Sequence, residues 1–214
     1  MTGVQTCALP ICDLFNRFVL KGYQVIQSWD GLVYHFTSRG SRFNKHAGGG
    51  AGKNSEEWLY TTHKNARNFI RKWGHFVKHD EYMKPIIPHK YDIGFIIHNC
   101  NLQLMAALEP WCSTLYTDDE MGVLEAAYYE NEQPHTKIDL KSKLKVIKNT
   151  EPNNNIKVEF DGTKLTQDSF NILTQLPEII AESGEIGQFE LDIFKISIDN
   201  MTTYEHDLTN IYNK

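Results

Sequence analysis

Charge divides this chain more sharply than any other feature. From Asp13 to Lys90 there are 13 Lys and Arg against 6 Asp and Glu, a net of +7; from Tyr91 to Lys214 there are 9 against 21, a net of −12. Pro85 and Pro88 stand where the sign changes, and a regular helix does not run through prolines that lack the backbone N–H. Two modules follow, a basic one over 13–84 and an acidic one over 90–214. The basic module suits an anionic ligand such as a phosphate, although a solvated surface accounts for the same charges. The acidic module argues against a nucleic-acid partner, because such affinity comes from neutralising phosphates.

The 214 residues are 41% hydrophobic, which excludes disordered, collagenous and coiled-coil classes. No apolar run approaches the ~18–20 residues that a membrane helix needs, so no span is expected. Met1–Cys12 (MTGVQTCALPIC) has no Lys or Arg, unlike a secretory signal. It resembles the translation of a sequencing-adapter read-through, in which case the native chain begins near Asp13; a short disordered terminus is the alternative. Outside it only Cys100 and Cys112 remain. Their separation fits no zinc pattern, so they read as core thiols of a cytoplasmic protein.

Local patterns give a coarse layout. Asp13–Lys21 has a helical apolar face stopped by Gly22, and Tyr23–Gln27 and Leu32–Phe36 favour strands around a Trp29-Asp30-Gly31 turn. Thr37 to Asn54 is a glycine-rich basic loop. Ser55 is the expected N-cap of a helix running to about His79, with Glu56 and Glu57 complementing its dipole. In the acidic module Asp92–His98 and Ser113–Tyr116 read as strands and Leu102–Leu108 as a helix. Asn149–Asn155 reads as a loop, Ile156–Phe160 as an alternating strand, and a helix runs from Thr166 to Ser183-Gly184. The apolar phase in Phe189–Ile198 switches parity, which predicts a bulge or bend. This module therefore reads as mixed α and β.

An ordered set of residues carries the chemistry. Asp13, Leu14 and Arg17 form D-L-x-x-R; Gly22 follows the helix; His35 follows a strand; and Ser38 opens the glycine-rich loop. Asn65, Ala66, Phe69, Lys72, Trp73 and Gly74 form a helix ending in K-W-G. This order resembles the C-terminal end of the catalytic domain of family-2, inverting glycosyltransferases of the GT-A fold. The resemblance covers Asp13 to about Trp73. It implies an α/β to α+β chain: the remnant of a Rossmann-like GT-A domain over 13–84, followed by a small α+β accessory domain over 90–214.

The resemblance also implies roles. His35 matches the last ligand of a divalent metal, Mn or Mg, that neutralises a nucleoside diphosphate leaving group. Ser38, Arg39 and Arg42, in the loop after it, would bind the diphosphate of a nucleotide-sugar donor, while Asp13 and Arg17 would shape the site of the acceptor hydroxyl. Without the resemblance, His35 reads as an ordinary rim histidine, and Asp13 and Arg17 as an i,i+4 ion pair.

The departures are equally specific. Inverting transfer needs a carboxylate base, which the family places just before the matched aspartate, where Pro10 and Ile11 stand. The Asp-x-Asp metal motif is also missing, so no catalytic residue is expected on this chain and the fragment should be inactive. Asp118-Asp119-Glu120 lies in the wrong module and order to replace it. Gly48–Lys53 fails the phosphate-loop pattern at Ala47 and Asn54. In the acidic module, His89, His98 and His135 are scattered, while Trp111 and Tyr128-Tyr129 read as core aromatics or as sugar-stacking surfaces. The competing expectation is a non-enzymatic carbohydrate-binding or assembly module.

Overall fold

The computed structural model describes residues 9–26, 28, 30–31, 45–47, 50 and 54–209. The chain forms two compact units, Met1–Phe69 with Val77–Ile86, and Ile70–Phe76 with Ile87–Lys214.

In the first unit, helix α1 spans Leu9–Leu20, so it begins before the Asp13 start expected from the apolar periodicity. It closes in a Schellman arrangement: Gly22, at φ 80°, donates its N–H to Val19 O and Tyr23 donates to Phe18 O. The Phe18 and Tyr23 rings meet edge-on at 5.6 Å across that turn. Residues 23–26 are not in a strand, and the rest of the two expected strands lies outside the described residues. Helix α2 spans Glu56–Trp73 and passes the division between the units at Ile70. Ser55 caps it by accepting from Trp58 N at 3.2 Å. The helix stops short of His79 because Gly74 takes φ 78°, a left-handed conformation that its missing Cβ permits. Beyond it, Asp80 accepts from Tyr82 N and Lys84 N and closes a turn bridged by His79 and Pro85.

The second unit is built on one six-stranded sheet. Its strands are β1 (Ile93–His98), β2 (Thr114–Thr117), β3 (Leu144–Val146), β4 (Ile156–Asp161), β5 (Gly187–Leu191) and β6 (Phe194–Ile198). The order is β3-β2-β1-β4-β6-β5. The first four are parallel neighbours, and β6 and β5 are added antiparallel. Between them run helices α3 (Leu102–Leu108), α4 (Val123–Glu132), α5 (Leu140–Lys143) and α6 (Gln167–Ser183). The chain is thus mixed α/β, the coarse class its sequence implies.

Register determines which residues share a face. Phe95 is opposite Leu115 and Val158, and Val158 is opposite Ile196; all four are in one apolar core with Met105 and Leu108 of α3, Tyr128 of α4 and Leu173, Leu176 and Ile180 of α6. The helices of this unit therefore cover one face. The opposite face carries Gly94, Ile96 and His98 of β1, Lys157, Glu159 and Asp161 of β4, and Lys195 and Ser197 of β6. Parallel sheets are ordinarily covered on both sides. Among the described residues of the unit, this side carries the irregular connection from β3 to β4, whose Asn154 lies over Gly94 and accepts from Tyr116 Oη at 2.9 Å.

Two local readings need correction. The parity switch near Ile193 is neither bulge nor bend: Leu191 pairs with Phe194, so Asp192 and Ile193 form a two-residue hairpin turn with Asp192 at φ 55°. Helix α4 was not expected because its inward face buries Glu125 and Glu132 beside Tyr128. Charges at those positions erase the apolar stripe that marks a helix.

Candidate functional site

Of the six residues to which the resemblance gives a binding or metal role, two are described. Asp13 and Arg17 lie one turn apart on α1 and pair at 3.2 Å with both side chains about three-quarters buried. His35, Ser38, Arg39 and Arg42 lie outside the described residues, as does most of the glycine-rich loop. Among the described residues, no three His, Cys, Asp or Glu side chains are placed to hold a metal ion.

In the second unit two gatherings of ionisable side chains bear on function. The first is buried. Arg71, on the last turn of α2, donates from Nε and Nη2 to Glu109 at 2.9 and 2.6 Å and from Nη2 to Glu132 at 2.8 Å. Lys143 Nζ reaches Glu109 Oε1 at 2.6 Å, and Tyr128 Oη donates to Glu109 Oε2 at 2.9 Å. The Arg71 and Glu109 side chains are 0% exposed. Burial opposes the Glu109 charge, but Lys143 and Arg71 overcome it and hold the carboxyl below its usual range. Burial and the neighbouring Glu109 push the Tyr128 phenol up. Two cations and two carboxylates cancel, so the cluster is a structural tie rather than an unsatisfied charge.

Next to it, at the amino ends of β1 and β2, a cavity of about 250 Å³ is lined by Arg71, Lys90, Trp111 and Lys143 among others. Lys90 reaches into the end of α2, donating to the carbonyl oxygens of Arg71 and Lys72. Burial, then repulsion from Lys143 and Lys72, lowers its amine to about 8. The cations are therefore committed to helix carbonyls and carboxylates. Trp111 packs edge-on against Phe170 at 6.1 Å, and Tyr128 is buried. Tyr128 therefore belongs to the packing, while Trp111 is partly buried and lines the cavity.

The second gathering is at the carboxyl ends of the parallel strands, where the chain leaves β1 toward β2 on one side and β4 adjoins on the other. Open α/β sheets bind ligands at such divergences, because loops leaving in opposite directions open a crevice. His98 ends β1. Its Nε2 lies 2.8 Å from Glu159 Oε1 and its Nδ1 4.0 Å from Asp118 Oδ2, and all three side chains are 41–44% exposed. Asn99 donates its backbone N–H to Asp118 at 2.8 Å and its side-chain amide to Asp161 at 3.2 Å. Hydrogen bonds from Thr163, then from Asn99, hold Asp161 below the usual carboxylate range.

Behind this rim, Glu125 accepts from the Thr117 hydroxyl through Oε1, while its Oε2 is buried without a hydrogen-bond partner. Burial, then the charges of Glu125 and Asp118, push the Cys100 thiol up to about 12. Cys100 is thus protonated and unreactive, in keeping with its reading as a structural thiol. His98 and Asp118 stand out in the sequence without any link between them, and Glu159 does not stand out at all. His98, Asp118 and Glu159 are 20 and 41 residues apart, brought together only by strand pairing. The available signal was that each stands at or near the carboxyl end of an expected strand.

Compared with known proteins, the chain matches no family model, no curated protein and no solved structure. Among the described residues, no helix is long and apolar enough to cross a membrane.

Proposed function

We propose that residues 13–84 are the closing segment of an inverting GT-A glycosyltransferase domain, and that the whole enzyme transfers a sugar from a nucleotide-sugar donor to an acceptor hydroxyl. The observation that carries the reading is the ordered residue set in the sequence. Asp13 and Arg17 pair on a helix that closes at left-handed Gly22, and the K-W-G segment ends a second helix at left-handed Gly74. In this reading the Asp13–Arg17 pair shapes the acceptor side. Ser38, Arg39 and Arg42 supply a hydroxyl and two guanidinium groups to the diphosphate, because bidentate guanidinium donors match phosphate oxygens. A divalent Mn or Mg ion bound with the help of His35 would neutralise the leaving group. In this reading no residue of this chain is assigned as the base that deprotonates the acceptor.

The test is a titration of a UDP-sugar with Mn²⁺ into the whole enzyme. Saturable binding that weakens in His35→Ala supports the reading, and binding unchanged by that substitution removes the metal role. The 214-residue chain should show no turnover; measurable transfer by it would overturn the expectation that it lacks the base.

A further inference from the structure

The face of the second unit's sheet opposite its helices holds a crevice of about 650 Å³. Its floor includes Ile96, and its walls include Glu151 of the β3–β4 connection, Lys157 and Glu159 of β4, and Glu190 and Lys195 of the hairpin. Glu159 and Lys195 face each other across the β4–β6 pair, and Glu159 joins the crevice to His98 and Asp118 at the carboxyl edge. Acceptors and donors therefore alternate along one open groove.

That alternation selects the ligand. A phosphate or polyanion meets Glu151, Glu159 and Glu190, and a polyamine meets Lys195 and Lys157, the latter already tied to Asp199 at 2.5 Å. A hydroxyl both donates and accepts, so a chain of hydroxyls satisfies carboxylate and ammonium in turn without bringing net charge. An apolar segment would cover these polar groups without offering them a hydrogen bond. We propose that this crevice, from Lys195 and Glu190 to the His98–Glu159–Asp118 edge, is a binding groove for a neutral oligosaccharide. The site lies wholly in the second unit and stands whether or not the first unit belongs to a sugar transferase.

The experiment follows backbone amide shifts of the 214-residue chain while neutral gluco-, manno-, xylo- and galacto-oligosaccharides are titrated in, without nucleotide or metal. Pyrophosphate and spermidine are the charged controls. The expected result is saturable binding of at least one series, with shifts at Ile96, Glu159, Gln188 and Lys195. Affinity should fall about tenfold or more in Glu159→Gln and in Lys195→Met, since each loses a hydrogen bond to a charged group worth ~1.5–3 kcal/mol. Both positions are at the surface, so unchanged melting temperatures would show that the fold is intact. No saturable binding of any series, shifts confined to other surfaces, tighter binding of either charged control, or affinities untouched by both variants would each overturn the proposal. His35→Ala should leave this binding unaltered, which separates its failure from that of the transferase reading.

Discussion

The second unit contains two ionic clusters that share glutamate and differ in burial, and they behave in opposite ways. Arg71, Lys143, Glu109 and Glu132 are buried and mutually satisfied. His98, Glu159 and Asp118 are nearly half exposed and only loosely satisfied. In the first cluster water is absent, so each charge depends on its partners and removal of one strands the rest. In the second, water screens the charges, the pairs add little to stability, and the polar groups stay available to a ligand. Glu109 and Glu159 carry the same carboxylate, and burial alone makes the first a structural tie while the second stays exposed at the rim.

The comparison breaks most readily at Glu109. Glu109→Gln leaves Arg71 and Lys143 short of a buried counter-charge, and urea denaturation should show a loss of about 3–5 kcal/mol. A loss below about 1 kcal/mol would mean that the buried cluster behaves like the exposed one.

The next effect is the pH response of Lys90. Its amine is lowered to about 8 from 10.5, so between those values the unfolded chain binds more protons and stability rises with pH. The full difference is about 3 kcal/mol. Lys90→Met should flatten the rise measured by denaturation between pH 7.5 and 10, and an unchanged slope would refute the assignment.

Gly94→Ala tests the connection that crosses the open face. A Cβ there would meet the buried Asn154 amide oxygen at 2.3 Å, and Asn154 is held by Asp92 and Tyr116. Overpacking of this kind costs about 1–3 kcal/mol, readable as a lowered melting temperature. The smallest effect is expected at the exposed cluster, where Glu159→Gln should change stability by less than about 1 kcal/mol. A larger loss would place His98 and Glu159 among the structural ties and count against a recognition role.

Local order in the second unit was largely legible in the sequence. Helix α3 spans Leu102–Leu108 as expected from its apolar run, and α6 is capped by Thr166 and closed by Gly184 at φ 63°. These features depend on neighbours within a few residues, where periodicity and capping act. The misreadings occurred where a local rule met a tertiary demand. Buried Glu125 and Glu132 concealed α4, left-handed Gly74 ended α2 early, and a hairpin turn imitated a bulge. The site was less legible than the fold, because His98 reaches Glu159 only through the register that sets Ile96 beside Glu159 and His98 beside Asp161.

The sequence alone determined the split in charge, the mixed α and β character of the acidic half, and the ordered residue set that suggests a sugar transferase. Those properties are written in composition and short spacing, and need no folding to be read. Only the tertiary structure decided which charges are hidden and which face outward. It set Arg71 against Glu109 across 38 residues and His98 against Glu159 across 61. Such pairings depend on strand order and helix docking, and short-range pattern carries no record of either.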